Sequence, residues 1–196
     1  GDRNKINSCL INIYMYFYLM SEKYKMATPY GCYFITLTVV GWIDIFTRAD
    51  YCHIMLNSLK FCQQHKGLKI YAWCIMPSHL HLIVSAKEKM LSEIIRNLKS
   101  YTALEIIKEV KENPKESRRD WLQHVFKFHA RYKNNRSLHQ VWQHHNHPIL
   151  LDSAVLFEEK ENYIHQNPVV AGYVAEPHHY KLSSAYSPGL LRLEVS

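Results

Sequence analysis

The sequence predicts an α+β fold, in which an antiparallel sheet carries helices on one face and a further helix follows near the C-terminal end. Segments rich in β-branched and aromatic residues alternate with helical periodicity in the order strand, helix, strand, strand, helix, insert, strand, helix. This order is that of the split βαβ, or ferredoxin-like, domains. The length of 196 residues, with 47% hydrophobic and 21% charged residues, suits one globular domain.

The first half of the chain supplies the predicted hairpin of the sheet. Residues 32–42, CYFITLTVVGW, are typical of a strand, and residues 50–65 have the apolar spacing of a helix that Gly67 closes. Residues 68–76 and 79–86 form the next two predicted strands. Because only Pro77 and Ser78 separate these two strands, we expect a tight antiparallel hairpin.

The second half of the chain supplies the remaining helices and one strand. Residues 90–110 form the clearest helix, and about residues 111–137 form an insert with an amphipathic helix near 119–135. Residues 139–151 are predicted as a strand and turn. A helix is then expected from Ser153 to about Gln166, because Pro168 should end it.

The two ends of the chain are expected to lie outside the domain, which we assign to residues 26–187. Residues 1–25 are interpreted as an extension or a misplaced start, with a signal peptide the less favoured interpretation, and residues 188–196 as a tail. The apolar run at residues 8–20 is shorter than the about 20 residues that span a bilayer. No membrane association is therefore expected. The five cysteines form no C-x-x-C pair, so a reducing, cytoplasmic location is expected.

The charge balance favours an anionic partner. The formal net charge is +7 and the pI is about 9.1, which suits binding to nucleic acid or to an anionic membrane surface.

Two histidines in the third strand are the first candidate site residues. Side chains alternate across a strand, so His79 and His81 share one face while Leu80 and Leu82 occupy the other, apolar face. Two neutral imidazoles at this spacing can converge on one metal ion. By itself the H-x-H pattern is weak, and exposed or hydrogen-bonded histidines are the commoner explanation of it.

The last predicted helix offers a possible complement to the histidines. Tyr163 and Asn167 are four residues apart and therefore share a helical face. If that face covers the histidines, Asn167 could supply an oxygen ligand and Tyr163 a hydroxyl. The spacing alone favours the simpler interpretation, in which Tyr163 only packs and Asn167 only ends the helix before Pro168.

Four stretches together resemble a known family. They are YFITLTVV, AWCIMPSHLHLIV, VWQHHNHPILLD and NYIHQNPVVAGYV, spread over about residues 28–187. In this combination the sequence resembles the single-tyrosine HUH transposases, and within them the REP-associated tyrosine transposases. The name HUH denotes two histidines around a hydrophobic residue, here His79, Leu80 and His81.

The resemblance implies a DNA transposase, a metal-dependent endonuclease and strand transferase that works through a 5′-phosphotyrosine linkage. It implies that Tyr163 is the catalytic nucleophile on a C-terminal catalytic helix, and that His79, His81 and Asn167 bind the metal. His165 or Gln166 could replace Asn167. The ligand types alone favour zinc, whereas the resemblance implies Mg²⁺ or Mn²⁺.

The implied partner is single-stranded or hairpin DNA, and a homodimer is possible, with the tyrosine helix acting in its own chain or on the partner's histidines. Gln143, His144, His145 and His147 are further candidate DNA contacts, with an exposed surface as the alternative. Candidate contacts to the DNA backbone are basic side chains on the helices and the insert: Arg96, Lys99, Arg118, Arg119, Lys127, Arg131, Lys133 and Arg136.

Two other functions fit parts of the pattern. A non-catalytic nucleic-acid-binding module could use the same sheet, but such modules usually place aromatic residues where His79 and His81 stand. A zinc hydrolase could use the histidine clusters. Retained function in a His79→Ala, His81→Ala double variant would favour the binding module, and tightly held zinc would favour the hydrolase.

Overall fold

The computed structural model describes residues 26, 28, 30–87, 90–131, 138–186 and 189–195. The interpretation of residues 1–25 as an extension therefore lies outside the described residues. The predicted order of elements is confirmed, and the four strands form one antiparallel sheet in the order β2–β3–β1–β4. The elements are β1 (Tyr33–Thr38), α1 (Ala49–His65), β2 (Leu68–Met76), β3 (His79–Ala86), α2 (Leu91–Glu112), α3 (Arg119–Arg131), β4 (Ile149–Leu150) and α4 (Ala154–Val170).

The predicted hairpin places β3 in the middle of the sheet. β2 and β3 pair antiparallel from Met76 opposite His79, so the connection is the two-residue turn at Pro77 and Ser78. β1 pairs with the other edge of β3, with Thr36 opposite His81. The backbone of β3 therefore forms hydrogen bonds with a neighbouring strand on each side.

The two faces of the sheet carry separate apolar clusters. The larger cluster lies between the sheet and α1 and α2, and includes Leu80, Leu82 and Val84 of β3. The smaller cluster lies on the opposite face, where Ile83 packs with Ile164 of α4. The histidines point to this second face, as the alternation predicts, so α4 covers the side of the sheet that carries the candidate site.

The strand predicted over residues 139–151 is mostly wrong, since only Ile149–Leu150 is a strand. Before it, the chain bonds to β1 at separated points, through the Gln143 amide to the Thr38 carbonyl and the Thr36 amide to the Asn146 carbonyl. A regular ladder is interrupted because His147 has a φ of 44° and Pro148 has no amide proton.

The helix expected to end before Pro168 instead runs to Val170. Pro168 is buried on the sheet side of α4, and packing there outweighs the lost helical hydrogen bond. The end is set at Gly172, whose φ of 77° allows the Gly172 and Tyr173 amides to donate to the Val169 and Pro168 carbonyls. This is a Schellman motif. Asn167 consequently remains inside the helix.

The predicted insert contributes α3, which buries Leu122 and Phe126 against the main cluster. Its entry is anchored by Glu116, only 3% exposed. The Glu116 carboxylate accepts hydrogen bonds from the Tyr51 hydroxyl at 2.7 Å and the Arg118 amide at 2.9 Å, and forms an ion pair with Arg48 at 3.0 Å. Residues 132–137 lie outside the described part of the chain. None of the described helices is sufficiently long and apolar to cross a bilayer.

The C-terminal segment covers the outer edge of β2. The Ile75 amide donates to the Leu182 carbonyl at 2.8 Å, and the Glu194 amide donates to the Ile70 carbonyl at 2.9 Å. Leu191 is buried in the main cluster. These bonds satisfy backbone groups that an open edge strand would expose.

The first prediction concerns the anchor of the insert. Glu116→Gln should lower the free energy of unfolding by about 2 kcal/mol, because a buried carboxylate with three charge-assisted contacts is replaced by a neutral amide. The measurement is urea unfolding at neutral pH.

The matched control is Glu159→Gln, since the Glu159 side chain is 61% exposed and pairs only with its neighbour Lys160. This variant should change the free energy of unfolding by less than about 0.5 kcal/mol. Equal effects of the two substitutions would contradict the anchoring role of Glu116.

Candidate active site

His79 and His81 form the centre of the candidate site. His81 is buried, with 4% exposure, whereas His79 is partly exposed. Their ring centroids lie 4.7 Å apart with an interplanar angle of 75°. The two imidazoles therefore lie side by side at the start of β3, on the sheet face that α4 covers.

Hydroxyl groups hold the Nδ1 atoms of both histidines. Thr36 Oγ1 lies 2.9 Å from His81 Nδ1, and Ser78 Oγ lies 3.2 Å from His79 Nδ1. In the tautomer with the proton on Nδ1, each ring donates to its hydroxyl oxygen and keeps the Nε2 lone pair for a ligand. A partner on the second nitrogen is how proteins usually orient a metal-binding imidazole.

Helix α4 brings both of its predicted site residues to His81 within one chain. Asn167 Nδ2 lies 3.4 Å from His81 Nε2, and the Tyr163 and His81 ring centroids lie 5.3 Å apart. Tyr163 is 48% exposed, so its ring is open to an approaching molecule. Phe34 stacks on His81 at 5.4 Å and meets the Tyr163 ring edge-on at 5.8 Å.

The buried position determines the charge of the histidines. Burial, with a smaller contribution from neighbouring His79, lowers the pKa of His81 to about 3. Burial also lowers the pKa of His79. Both imidazoles are therefore neutral at pH 7, which is the form that binds metal ions.

The alternative third ligands lie elsewhere on α4. His165 Nε2 is 2.8 Å from Ser184 Oγ, on the side of the helix that faces the C-terminal segment. Gln166 is exposed to solvent. Of the three residues, Asn167 is the one within hydrogen-bonding distance of His81.

The separation of the Asn167 amide and His81 Nε2 fits two ligands of one divalent ion. Two ligand atoms bonded to one ion at about 2.1 to 2.2 Å are separated by about 3.0 to 3.6 Å in octahedral or tetrahedral geometry. The 3.4 Å between the Asn167 amide and His81 Nε2 falls in that range, and rotation of the amide presents its oxygen there.

The composition of the site argues against a tightly bound structural zinc. Within residues 26–195, as far as they are described, no group of three or more His, Cys, Asp or Glu side chains could hold a metal. The candidate ligand set is two imidazoles and one neutral amide. Such a set supports an exchangeable ion more than the closed sites of three or four thiolates and imidazoles.

Some of the basic residues predicted to contact DNA are exposed, and others bond to groups of the protein itself. Arg96 of α2 and Lys127 and Arg131 of α3 are exposed to solvent. Arg118 instead pairs with Asp44 at 2.6 Å, and Arg119 donates to the Asn113 carbonyl at 2.7 Å.

These two arginines thus stabilise the entry to α3, while the exposed three remain available to phosphates. Lys133 and Arg136 lie outside the described residues.

Lys99 organises the histidine-rich loop that follows the insert. Its Nζ donates to the Gln143 carbonyl at 2.6 Å, the His144 carbonyl at 3.2 Å and Asn146 Oδ1 at 2.6 Å. The same loop is bonded to β1 beside Thr36, so Lys99 holds it along the edge of the candidate site. His144, His145 and His147 are exposed on that loop, and their contact with DNA stays a prediction.

Sequence reasoning missed three residues that border the site. Phe34 and Thr36 could have been found, because alternation along β1 puts them on one face and register puts Thr36 opposite His81. Trp42, whose ring centroid lies 5.5 Å from that of His79, has the same parity as these two residues in the predicted strand 32–42. That alternation does not place it, because β1 ends at Thr38 and Trp42 lies in the turn that follows.

Comparison with known proteins finds a similar family and a similar solved structure. Residues 43–134, slightly less than half of the chain, match the family described as "Transposase IS200 like". The resemblance to the transposases is confirmed. The match supports a DNA transposase role and hence an enzyme that acts on DNA. The matched stretch contains His79 and His81 and ends before Tyr163.

A solved structure shares the fold over more of the chain. It is titled "Structure of the REP associates tyrosine transposase bound to a REP hairpin", and the two chains superpose with a TM-score of 0.55 at 17% identity. The similarity covers 79% of this chain and 76% of the other. None of the curated proteins compared matches this chain.

The second prediction follows from the pKa of His81. In the unfolded chain this pKa returns to about 6.5, so below that pH the unfolded state binds a proton that the folded state excludes. The stabilisation is complete above pH 6.5 and is lost as the pH falls toward 3. From about pH 7 to about pH 5.5, the protonation of this one group in the unfolded chain should lower the free energy of unfolding by about 1 kcal/mol.

The test compares urea unfolding of the wild type and His81→Asn at both pH values with EDTA present. Because asparagine does not titrate, the free energy of unfolding of the variant should fall by about 1 kcal/mol less than that of the wild type over this interval. Parallel pH dependences would contradict the low pKa of His81.

Proposed function

We propose that this protein is a metal-dependent tyrosine endonuclease and strand transferase, of the HUH type, that cleaves and rejoins single-stranded DNA. The observation that carries the proposal is the meeting of Tyr163 and Asn167 with the His79–His81 pair inside one chain. An exposed phenol beside neutral imidazoles is a combination that a purely structural site does not require.

Tyr163 is the proposed nucleophile. Its phenolic oxygen attacks the scissile phosphorus, the bond from phosphorus to the 3′ oxygen breaks, and a 5′-phosphotyrosine ester remains. The phenolic proton passes to water or a nearby base, and the departing 3′ oxygen takes up a proton. Attack by a 3′-hydroxyl on the ester reverses the reaction, so rejoining needs no nucleotide cofactor.

His79, His81 and Asn167 would hold a divalent ion, Mg²⁺ or Mn²⁺. When bound, such an ion withdraws charge from the non-bridging phosphate oxygens and so favours attack by the nucleophile. Two imidazole ligands suit Mn²⁺ better than Mg²⁺, which prefers oxygen ligands and retains its water.

The surrounding residues orient the proposed ligands. Thr36 restrains the rotation of the His81 ring through its hydroxyl at 2.9 Å from Nδ1. Phe34 packs on both the His81 and Tyr163 rings and excludes water from one side of the pair. Ile164 and Pro168 are the buried residues of α4, and their packing holds the helix so that Tyr163 and Asn167 lie beside the imidazoles.

The proposed substrate is a single strand flanked by a DNA hairpin. The structurally similar transposase is described as bound to a REP hairpin, and the net charge of +7 favours a polyanion. Arg96, Lys127 and Arg131 are the described candidates for phosphate contacts because they are exposed. The site described needs no residue from a second chain, so a homodimer would not be required for chemistry.

The third prediction concerns the nucleophile. Tyr163→Phe should abolish the covalent protein–DNA adduct, because it removes only the hydroxyl. DNA binding should change by less than about threefold, since the phenyl ring keeps its packing. The measurement is denaturing gel electrophoresis after incubation with Mn²⁺ and a labelled hairpin oligonucleotide.

The matched control is Tyr101→Phe, since Tyr101 is 55% exposed and lies between α1 and α2 on the other side of the sheet. It should retain the adduct. An adduct that survives in Tyr163→Phe would show that the nucleophile lies elsewhere. A His79→Ala, His81→Ala double variant should also lose the adduct, and retained activity there would favour a non-catalytic binding module or another active site.

A further inference from the structure

The turn between β1 and α1 holds an aromatic residue in an uncommon backbone conformation. Gly41 has a φ of 63° and Trp42 a φ of 55°, so two successive residues occupy the left-handed region. Glycine adopts this region readily, whereas a bulky residue seldom does. Backbone bonds hold the turn, from the Trp42 amide to the Val39 carbonyl at 3.1 Å and from the Val40 amide to the Val141 carbonyl at 2.8 Å.

This conformation directs the indole of Trp42 outward. Trp42 is 61% exposed, whereas Val40 and Ile43 on either side of the turn are buried in the main cluster. The stability of the core therefore does not explain a tryptophan at this position. Strained positions that packing does not require are concentrated at functional sites.

The indole lies next to the candidate active site. Its ring centroid is 5.5 Å from that of His79, with an interplanar angle of 75°. His79 in turn lies 4.7 Å from His81, which contacts Tyr163. The exposed aromatic surface is thus continuous with the residues proposed to bind the scissile phosphate.

The turn also packs against helix α3. A Cβ atom on Gly41 would lie 3.3 Å from His129 Nε2 of α3, a contact tight enough to require the neighbour to move. The turn is therefore packed against α3, and the position of Trp42 beside His79 is fixed on both sides.

We propose that Trp42 is a substrate-positioning residue that stacks on a nucleobase adjacent to the scissile phosphate. The inference rests on the proposed function, since it assumes that DNA enters the site at His79 and His81. Aromatic side chains bind single strands by stacking, which every base permits because each has a flat π surface. With one base held on Trp42, the neighbouring phosphate is presented to the histidines in a defined orientation.

Stacking also predicts the kind of selectivity that Trp42 supplies. Binding should depend on the presence of a base at one position of the strand. It should depend little on the hydrogen-bonding groups of that base, because the indole contacts only its flat face. A purine should bind better than a pyrimidine there, because its larger ring system overlaps more of the indole.

The fourth prediction uses binding and cleavage of a hairpin oligonucleotide with a single-stranded flank. Trp42→Ala should weaken binding about 5- to 150-fold, the range expected for the loss of one stacked base, and should raise KM with little change in kcat. Trp42→Phe should stay within about threefold of the wild type because it retains an aromatic ring. Binding is measured by fluorescence anisotropy in the Tyr163→Phe background, where no cleavage is expected.

Two further variants separate stacking from structural effects. Trp42→Gly keeps the left-handed backbone without strain and should bind as weakly as Trp42→Ala. Trp121→Ala is the matched control, since Trp121 is 50% exposed and lies at the start of α3, and it should stay within about twofold.

An abasic scan of the single-stranded flank provides the decisive comparison. At one position, loss of the base should weaken binding to the wild type but not to Trp42→Ala, because the stacking partner is already gone. The inference would be overturned if Trp42→Ala bound like Trp121→Ala, or if its defect were equal on all abasic strands.

Failure of the proposed function would look different: the wild type would form no adduct. The anisotropy scan would still decide the role of Trp42.

Discussion

The site depends on the position of β3 between two apolar layers. On one face Leu80 and Leu82 are fully buried under α1 and α2, and on the other His79 and His81 face α4. Because side chains alternate with a period of two, a slip of one residue would turn the histidines into the main core. The burial of the leucines therefore determines where the imidazoles point.

The same pairing explains the electrostatics of the histidines. The register of β1 and β3 sets Thr36 opposite His81, where its hydroxyl meets Nδ1. The cover from Phe34 and α4 removes water and keeps the imidazoles neutral. Helix α4 can complete the site only because it continues through Pro168 and ends at Gly172, which leaves Tyr163 and Asn167 one turn apart on a regular helix.

Sequence patterns could predict the parts of the fold and site that depend on local periodicity. The hairpin at Pro77, the alternation around His81 and the spacing of Tyr163 and Asn167 all follow from strand and helix geometry. Long-range packing decided the rest. Pro168 stays in the helix because it is buried, and Lys99 is engaged because the loop after the insert returns beside α2.

Charge alone could not predict which of these cations bond within the protein. Arg118 and Arg119 look like Lys127 and Arg131 in the sequence, yet the first two bond to Asp44 and to the chain before α3. Their partners are distant along the chain or are backbone carbonyls, which no local pattern encodes. Trp42 shows the same limit, since it lies in the turn after β1, where the alternation of the predicted strand no longer applies.

The central claim is that Asn167 and the two histidines hold one ion within a single chain, and that Tyr163 lies beside that ion as the nucleophile. The most direct measurement is a crystal structure of Tyr163→Phe with Mn²⁺ and a hairpin oligonucleotide, using anomalous scattering to locate the metal. The account predicts one manganese peak at about 2.2 Å from His79 Nε2, His81 Nε2 and the Asn167 amide oxygen, with a phosphate between the ion and the residue 163 ring. A peak bound elsewhere, or a phosphate on the opposite face of the sheet, would contradict it.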